Sequence, residues 1–449
     1  MQIEDLKLAI KKNPQFALAF AAIFHLLIAL TIFTVGRLGV VPQQFDRDGI
    51  GDFASDGHIH KPVMDALVGI LRQGEFGSWI NSKEAFHVKL FSLAGVVMEP
   101  LLGSNILTIE PLNLLFYLAI IALTFTLAKI VAGPRAAWLA ALIVALWPSL
   151  VLHSTQFLRD PLVLIAVLTL ITLLVLILKQ NLNWQRATGS VVAAAAAVYL
   201  AWHTRPEMWL VVTAIIFVAG LLLVTKIAVT RKIVAVNLCA MAAVAALSVG
   251  MPRPSVGVVS MPLSRDVATP GDKTPVSGLT SIWGRVAIAR ERFIIHGRNA
   301  GSVIDEHVAF NSSTDIARYV PRALVVGYFA PFPSLWFSAG SKVGITGRIL
   351  SGAEMVLTYL FEALACFFVW QTRRRFGSWL LVLATVIGML ALGLVVTNVG
   401  TLYRMRYPFW ILIVIMAASV LASKYSAWFS SERETMKPAS IPAEISPAT

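Results

Sequence analysis

An all-α fold, a polytopic membrane helix bundle, is what this sequence predicts, and three observations predict it. Charged residues make up 14% of the 449 residues and hydrophobic ones 57%, whereas soluble globules run at about 25% and about 45–50%. The mean hydropathy is +0.76. The run 161–178 (PLVLIAVLTLITLLVLIL) carries no charge over a length that crosses the hydrocarbon core as a helix.

The elements follow in order. Residues 1–15 are short and basic, with Lys7, Lys11 and Lys12, which places the N-terminus in the cytoplasm. The apolar run 16–36 is too long for the core of a signal peptide and lacks a small-residue cleavage site, so it reads as a retained first span. An outer loop, 37–111, contains the stretch 86–103, whose Lys89 and Glu99-Pro100 fit a helix lying in the headgroup region. Spans two to seven are expected at 112–132, 136–152, 161–178, 188–202, 208–225 and 233–250. Basic turns at Lys129/Arg135, Lys179/Arg186 and 226–232 (KIAVTRK) fall alternately on the cytoplasmic side.

The segment 319–337 (YVPRALVVGYFAPFPSLWF) decides the rest. Counted as a span, it would put Arg373, Arg374 and Arg375 outside, against the positive-inside rule. Its three prolines and Arg322 also make it a poor spanning helix. As an interfacial or re-entrant segment it lets 348–370 run inward, 378–397 exit and 407–424 return. The expectation is about ten transmembrane helices plus two interfacial segments. They form a membrane domain over 1–425, with outer loops 37–111 and 251–347. The second loop opens with a Pro/Ser/Thr/Gly-rich stretch to about Gly278, read as flexible, followed by a helix-like SIWGRVAIARERFII. Residues 426–449 read as a disordered cytoplasmic tail.

The formal net charge of +13 serves orientation and contact with anionic lipid in such a chain. No zinc-finger spacing or aromatic–basic interleaving points to nucleic acid. Cys239 and Cys366 sit in separate spans and read as small apolar packing residues, not as a disulfide or metal pair.

Under this topology the loop DRDGIGDFASDGHIH (46–60), Arg159-Asp160, Arg205 and Arg404/Arg406 all open on the outer face. Short outer loops normally avoid arginine. A single such Arg is equally well a snorkelling residue or half of a structural ion pair. As a set, they suit an anion, because guanidinium forks match phosphate oxygens. Glycines 49, 51 and 57 allow tight turns that hold a carboxylate rigidly. A carboxylate facing an Arg wall could deprotonate an acceptor hydroxyl as a phosphate leaves. The alternation of Asp56, His58 and His60 leaves a divalent metal open, though a third well-spaced ligand is missing. Otherwise no cofactor is expected. His153 and His203 read as interface residues. Glu354 and Glu362 are eight residues apart, roughly 80° around a helix and about 12 Å in depth. Both should face the interior, Glu354 near enough to the outer end to support the site and Glu362 as a paired structural group. Tyr403 and Tyr407 flank the last Arg pair, where an interfacial belt also places aromatics.

The Asp-rich first outer loop with its interfacial helix, and the second turn QFLRDP, resemble the GT-C superfamily of membrane glycosyltransferases. That group includes the protein O-mannosyltransferases and the lipid A aminoarabinose transferases. EPLN at 110–113, YVPRAL…PFP at 319–333 and RMRYP at 404–408 are similar to uncharacterised bacterial members. The likeness spans most of 1–425. It implies a multi-pass protein of the cell (inner) membrane whose active site lies on the outer face, a polyprenyl-phosphate-linked sugar as donor, and a glycan, lipid or protein as acceptor. It also implies a first-loop Asp as inverting catalytic base. By position that is Asp56, with Asp52 the nearest rival, while Asp160 takes the second-loop acidic position. Arg159, Arg205, Arg404 and Arg406 would then bind the donor phosphate. Glu354, His60 and Tyr403 would support them, with His60 standing where many members have Tyr. A polysaccharide polymerase or ligase using a lipid-linked oligosaccharide shares these features. A lipid or sugar transporter, the third reading, should show paired repeats and midplane charges; no repeat is visible, and Glu362 is the clear mid-span charge.

Overall fold

The computed structural model describes residues 14–251, 281–297, 302–338 and 343–435. The basic N-terminal lysines, the Pro/Ser/Thr/Gly-rich stretch and the last fourteen residues of the expected tail lie outside these. Among the described residues the structure is helical throughout, with strand pairing confined to two isolated bridges, Phe45–Gly51 and Val303–Asn398.

Helix α1 (Pro14–Arg37) leads to a first loop holding α2 (Asp56–Arg72), α3 (Phe76–Asn81) and α4 (Phe86–Leu102). Then come α5 (Glu110–Ala132), α6 (Pro134–Ala145), α7 (Pro148–Ser154), α8 (Asp160–Lys179), α9 (Trp184–Thr204), α10 (Trp209–Thr230) and α11 (Ala235–Gly250). The second loop holds α12 (Ile282–Gly297) and α13 (Ser313–Phe329). The chain finishes with α14 (Gly344–Thr372), α15 (Phe376–Val395), α16 (Val399–Met405) and α17 (Tyr407–Thr435).

Six helices are long and apolar enough to cross a membrane, and the bent pairs α6–α7 and α16–α17 raise the number to eight. The shorter α11 and the alanine-rich α9 fall on the two remaining expected spans. This is a multi-pass membrane protein. Prolines at the first turns of α5, α6, α7 and α8 start helices at little cost, because the missing N–H would be unpaired there anyway. Pro148 also explains why the third expected span, 136–152, is two helices at 63°. It cannot continue the hydrogen-bond ladder of α6, and it disfavours helical backbone at Trp147.

The centre of the bundle is α17, whose residues from Tyr407 to Ala418 are buried on every face, and α8. Lipid offers no hydrophobic gain for helix association, so close approach depends on small residues. Gly388 of α15 lies flat against the Phe409 ring, where a Cβ would overlap it. Gly393 and Gly327 bring α15 and α13 into backbone contact, Gly393 over Ala323 and Gly327 over Met389.

These contacts settle the course of 319–337. Helix α13 runs along the C-terminal end of α15 as far as Met389, six residues before its end at Val395, or about 9 Å. The chain then turns, and Trp336 returns against Gly352 of α14. The segment folds back on itself rather than running as one straight helix, as expected of a re-entrant segment. Above it Arg290 of α12, 1% exposed, donates to the carbonyls of Val308, Leu394 and Asp305 and fastens the second loop to the end of α15.

Four turns expected in the cytoplasm gather at one end. Lys179 donates to the Ile130 and Val131 carbonyls and its stem covers Gly377, while Lys226 donates to the Leu178 carbonyl. Some expectations need correction. The supposed turn 397–406 is the helix α16, started by Asn398, whose side chain accepts the Gly400 and Thr401 N–H groups. Cys239 and Cys366 are free and exposed on the bundle surface rather than packed inside it. Glu362 is buried at its carboxylate but has no hydrogen-bond partner among the described residues. Helix α17 continues to Thr435, ten residues into the stretch read as tail.

Candidate active site

The first loop separates its four aspartates. Asp46 folds the loop on itself: Oδ1 accepts the N–H groups of Asp48 (3.0 Å) and Ile50 (2.8 Å), and Gly49 takes the left-handed turn at φ +82°, which suits glycine. Asp48 pairs with Lys61 at 3.3 Å, and Lys61 also holds Asp65. Asp52 and Asp46 share His58 at 3.3 and 3.4 Å. Asp56 alone turns inward, from the first turn of α2, where the helix dipole favours a carboxylate.

There it meets residues from three distant parts of the chain. Arg404, at the end of α16, donates from Nη2 to Asp56 Oδ2 (3.0 Å) and from Nη1 to Asp160 Oδ2 (3.3 Å). Asp160 opens α8, is 4% exposed, and accepts a short hydrogen bond from Arg205. Arg205 also lies 3.6 Å from Glu207, which takes a bond from Arg159 Nη2 at 3.3 Å. Arg159 Nη1 donates to the Thr204 carbonyl. The structure thus brings together Asp56, Asp160, Arg159, Arg205 and Arg404. Three guanidinium groups meet three carboxylates, so the wall is balanced in charge.

Burial alone would raise the Asp56 carboxyl, but the charge and hydrogen bond of Arg404, helped by Arg159, hold it below its ordinary value. Asp56 is therefore ionised at neutral pH. Its side chain keeps 39% exposure, and the bond from Arg404 falls on Oδ2. His60, one turn along α2, packs its ring edge-to-face on His87 at 4.5 Å. Burial lowers His60, with Arg159 and Arg404 adding to the effect against Asp56. Burial, then the neighbouring His60 and Arg159, push His87 down to about 3. Both rings are neutral at pH 7. Asp56, His58 and His60 do not converge, since His58 turns out to Asp46 and Asp52 while His60 turns in to His87.

Arg406 is not part of the wall. It points away, donating to the Ala330 carbonyl and to Met355 Sδ, with its guanidinium 4.4 Å over the Tyr403 ring. Arg406 anchors the re-entrant segment. Glu354 and Tyr403 form a buried pair: Glu354 accepts from the Ser149 N–H (2.8 Å) and, through a short bond, from the Tyr403 hydroxyl. A polar chain leads from there toward the site. Tyr407 donates to Ser149 Oγ at 2.8 Å and lies 3.0 Å from His153 Nδ1, and the His153 ring meets Phe53 edge-on at 5.3 Å. Glu354 and Tyr403 reach the Asp56 loop through these intermediates. Sequence reasoning missed the roles of Glu207, Ser149 and His153. Glu207 follows Arg205 within the turn HTRPE, and its alternation with Arg159 and Arg205 was the available signal.

No family model matches the chain, and no curated protein does. Among solved structures it is similar to the archaeal oligosaccharyltransferase AglB from Archaeoglobus fulgidus, described in complex with an inhibitory peptide and a dolichol-phosphate. The identity is 14% and the TM-score 0.48, over 95% of this chain and 53% of that one. The chain spans about half the length of that structure.

Proposed function

We propose that this protein is a membrane glycosyltransferase of the GT-C type that moves a sugar from a polyprenyl-phosphate carrier to an external acceptor hydroxyl. One observation carries the reading: Arg404 forks between Asp56 and Asp160 beside Arg159 and Arg205, at the end of the bundle opposite the basic turns. A partly exposed carboxylate, bonded to Arg404 through Oδ2, then stands next to guanidinium groups able to grip phosphate.

The step is a single inverting displacement. The acceptor oxygen attacks the anomeric carbon while its proton passes to Asp56 Oδ1. The bond from that carbon to the phosphate oxygen breaks, and the electron pair leaves with the lipid phosphate. Arg159, a third exposed at its side chain, and Arg404 meet the developing charge. Arg404 keeps Asp56 ionised but also weakens it as a base. A phosphate that draws Arg404 toward itself removes that restraint, so donor binding activates the base. Arg404 also occupies the space between the two carboxylates, and the proposed step draws on no metal ion.

A synthetic polyprenyl-phosphate hexose carrying a diazirine beside its phosphate tests the donor class in reconstituted protein. Crosslinks should map to peptides holding Arg159 and Arg404. Capture of a pyrophosphate-linked oligosaccharide probe in its place would favour a polymerase or ligase and contradict the reading.

A further inference from the structure

We propose that Gln156 is a positioning residue that sets the Asp56 loop in register with Asp160, and that the EPLN motif at 110–113 is its footing. The proposal rests on the reading of Asp56 as the base. Gln156 is fully buried (0% exposed) and bridges the two loops that carry the carboxylates. Its Oε1 accepts the Gly51 N–H at 2.9 Å, and its Nε2 donates to the Gly49 carbonyl at 3.4 Å. The side-chain amide thus binds the first loop as a neighbouring strand's backbone would. Four residues after Gln156 comes Asp160, so the same side chain refers both carboxylates to one frame.

The footing lies beneath. Asn113 Nδ2 donates to the Gln156 carbonyl at 3.3 Å. Two residues before Gln156, Ser154 Oγ lies 2.9 Å from His25 Nε2, whose Nδ1 lies 2.7 Å from Glu110 Oε1. Glu110 and Asn113 stand three apart on α5, on one face of the helix. From there they hold 154–156 from two sides, one of them through α1. His25, Glu110, Asn113 and Ser154 are all 5% exposed or less. Buried polar groups cost free energy unless paired; Glu110 Oε2 and Asn113 Oδ1 have no partner among the described residues, and the pairs that these side chains do make converge on a single segment. Behind it, Phe157 packs under Gly57 and Ile50, closing the gap between the loop and the first turn of α2.

The test uses the full-length protein in nanodiscs and the variant Gln156→Met, which keeps the side chain's bulk and removes its amide. Hydrogen–deuterium exchange of the peptide covering 46–52 should quicken about five- to tenfold, the loss of roughly one hydrogen bond. Peptides within α8 and α15 should be unchanged. Asn113→Leu, which frees the Gln156 carbonyl, should give the same local pattern at smaller amplitude. In transfer from the synthetic polyprenyl-phosphate hexose, Gln156→Met should lower kcat with KM kept. It should also move the acid limb of the rate upward in pH, as Asp56 slips from Arg404; a merely structural loss would leave that limb in place. Unchanged exchange over 46–52 in both variants would overturn the proposal. The exchange result stands whether or not Asp56 is the base, so failure of the strut and failure of the reaction are read separately.

Discussion

At the residue scale, two arginines two positions apart do different work. Arg404 and Arg406 look equivalent in RMRYP, but residues two apart on a helix point about 200° from each other. Once 399–405 is helical, one faces Asp56 and Asp160 and the other faces Ala330 and Met355. Span parity put Asp56 and Arg404, 348 positions apart, on one expected face, but the sequence assigned Arg404 to a donor phosphate and did not show that it pairs with Asp56. It could not show that Asp46, Asp48 and Asp52 are taken up by a turn, Lys61 and His58, since those contacts depend on the loop's own fold. The Asp56–Arg404 pair has a pH signature. A carboxyl held below its ordinary value contributes stability at pH above that value and loses it as pH falls through the folded value. Arg404→Gln should therefore raise the Asp56 pKa and shift the acid limb of the pH–rate profile to higher pH. A limb that stays in place would show that Arg404 does not govern Asp56.

At the scale of elements, the re-entrant segment is where the pattern of charges and prolines was informative and the packing was not. Three prolines, Arg322 and the Arg373–Arg375 cluster argue against a spanning helix. Nothing in that reasoning gives the depth, which comes from Gly327 and Gly393 meeting backbone. Gly393→Val places a branched side chain where the Ala323 carbonyl lies, and overpacking of this kind typically costs about 1–3 kcal/mol. The hairpin should lift from α15. A cysteine introduced at Ser334 should then react several-fold faster with a membrane-impermeant maleimide applied from outside; equal rates would mean that the contact does not hold the hairpin down. The bent pairs were less legible. Pro148 was visible, yet the hydropathy of 136–152 concealed the break, because a bent span and a straight one are equally apolar.

Across the whole molecule, the two ends of the bundle differ in kind. One end carries lysines that cap the last carbonyls of neighbouring helices, as Lys179 and Lys226 do, a place where the helix dipole favours cations. The other end carries arginines matched to carboxylates. The positive-inside rule assigns the first end to the cytoplasm, and it rested on the composition of turns that the sequence displays openly. A reporter fused at Gly377, which lies against Lys179, should behave as cytoplasmic; external behaviour would invert the topology and put the Asp56 site on the wrong face. Ten spans could be read from hydropathy and turn charge. The convergence of four separate turns on one ion-pair cluster could not, since it depends on which helices are neighbours.

In the proposed mechanism Asp56 takes the acceptor's proton. Single-turnover transfer from the polyprenyl-phosphate hexose by Asp56→Asn, beside Asp52→Asn, tests it most directly. General-base assistance is typically worth about 10²–10⁴-fold. Asp56→Asn should therefore lose transfer by that factor while still crosslinking the donor, and Asp52→Asn should stay within a few-fold of wild type. Transfer at the wild-type rate by Asp56→Asn, or its loss in Asp52→Asn alone, would contradict the account.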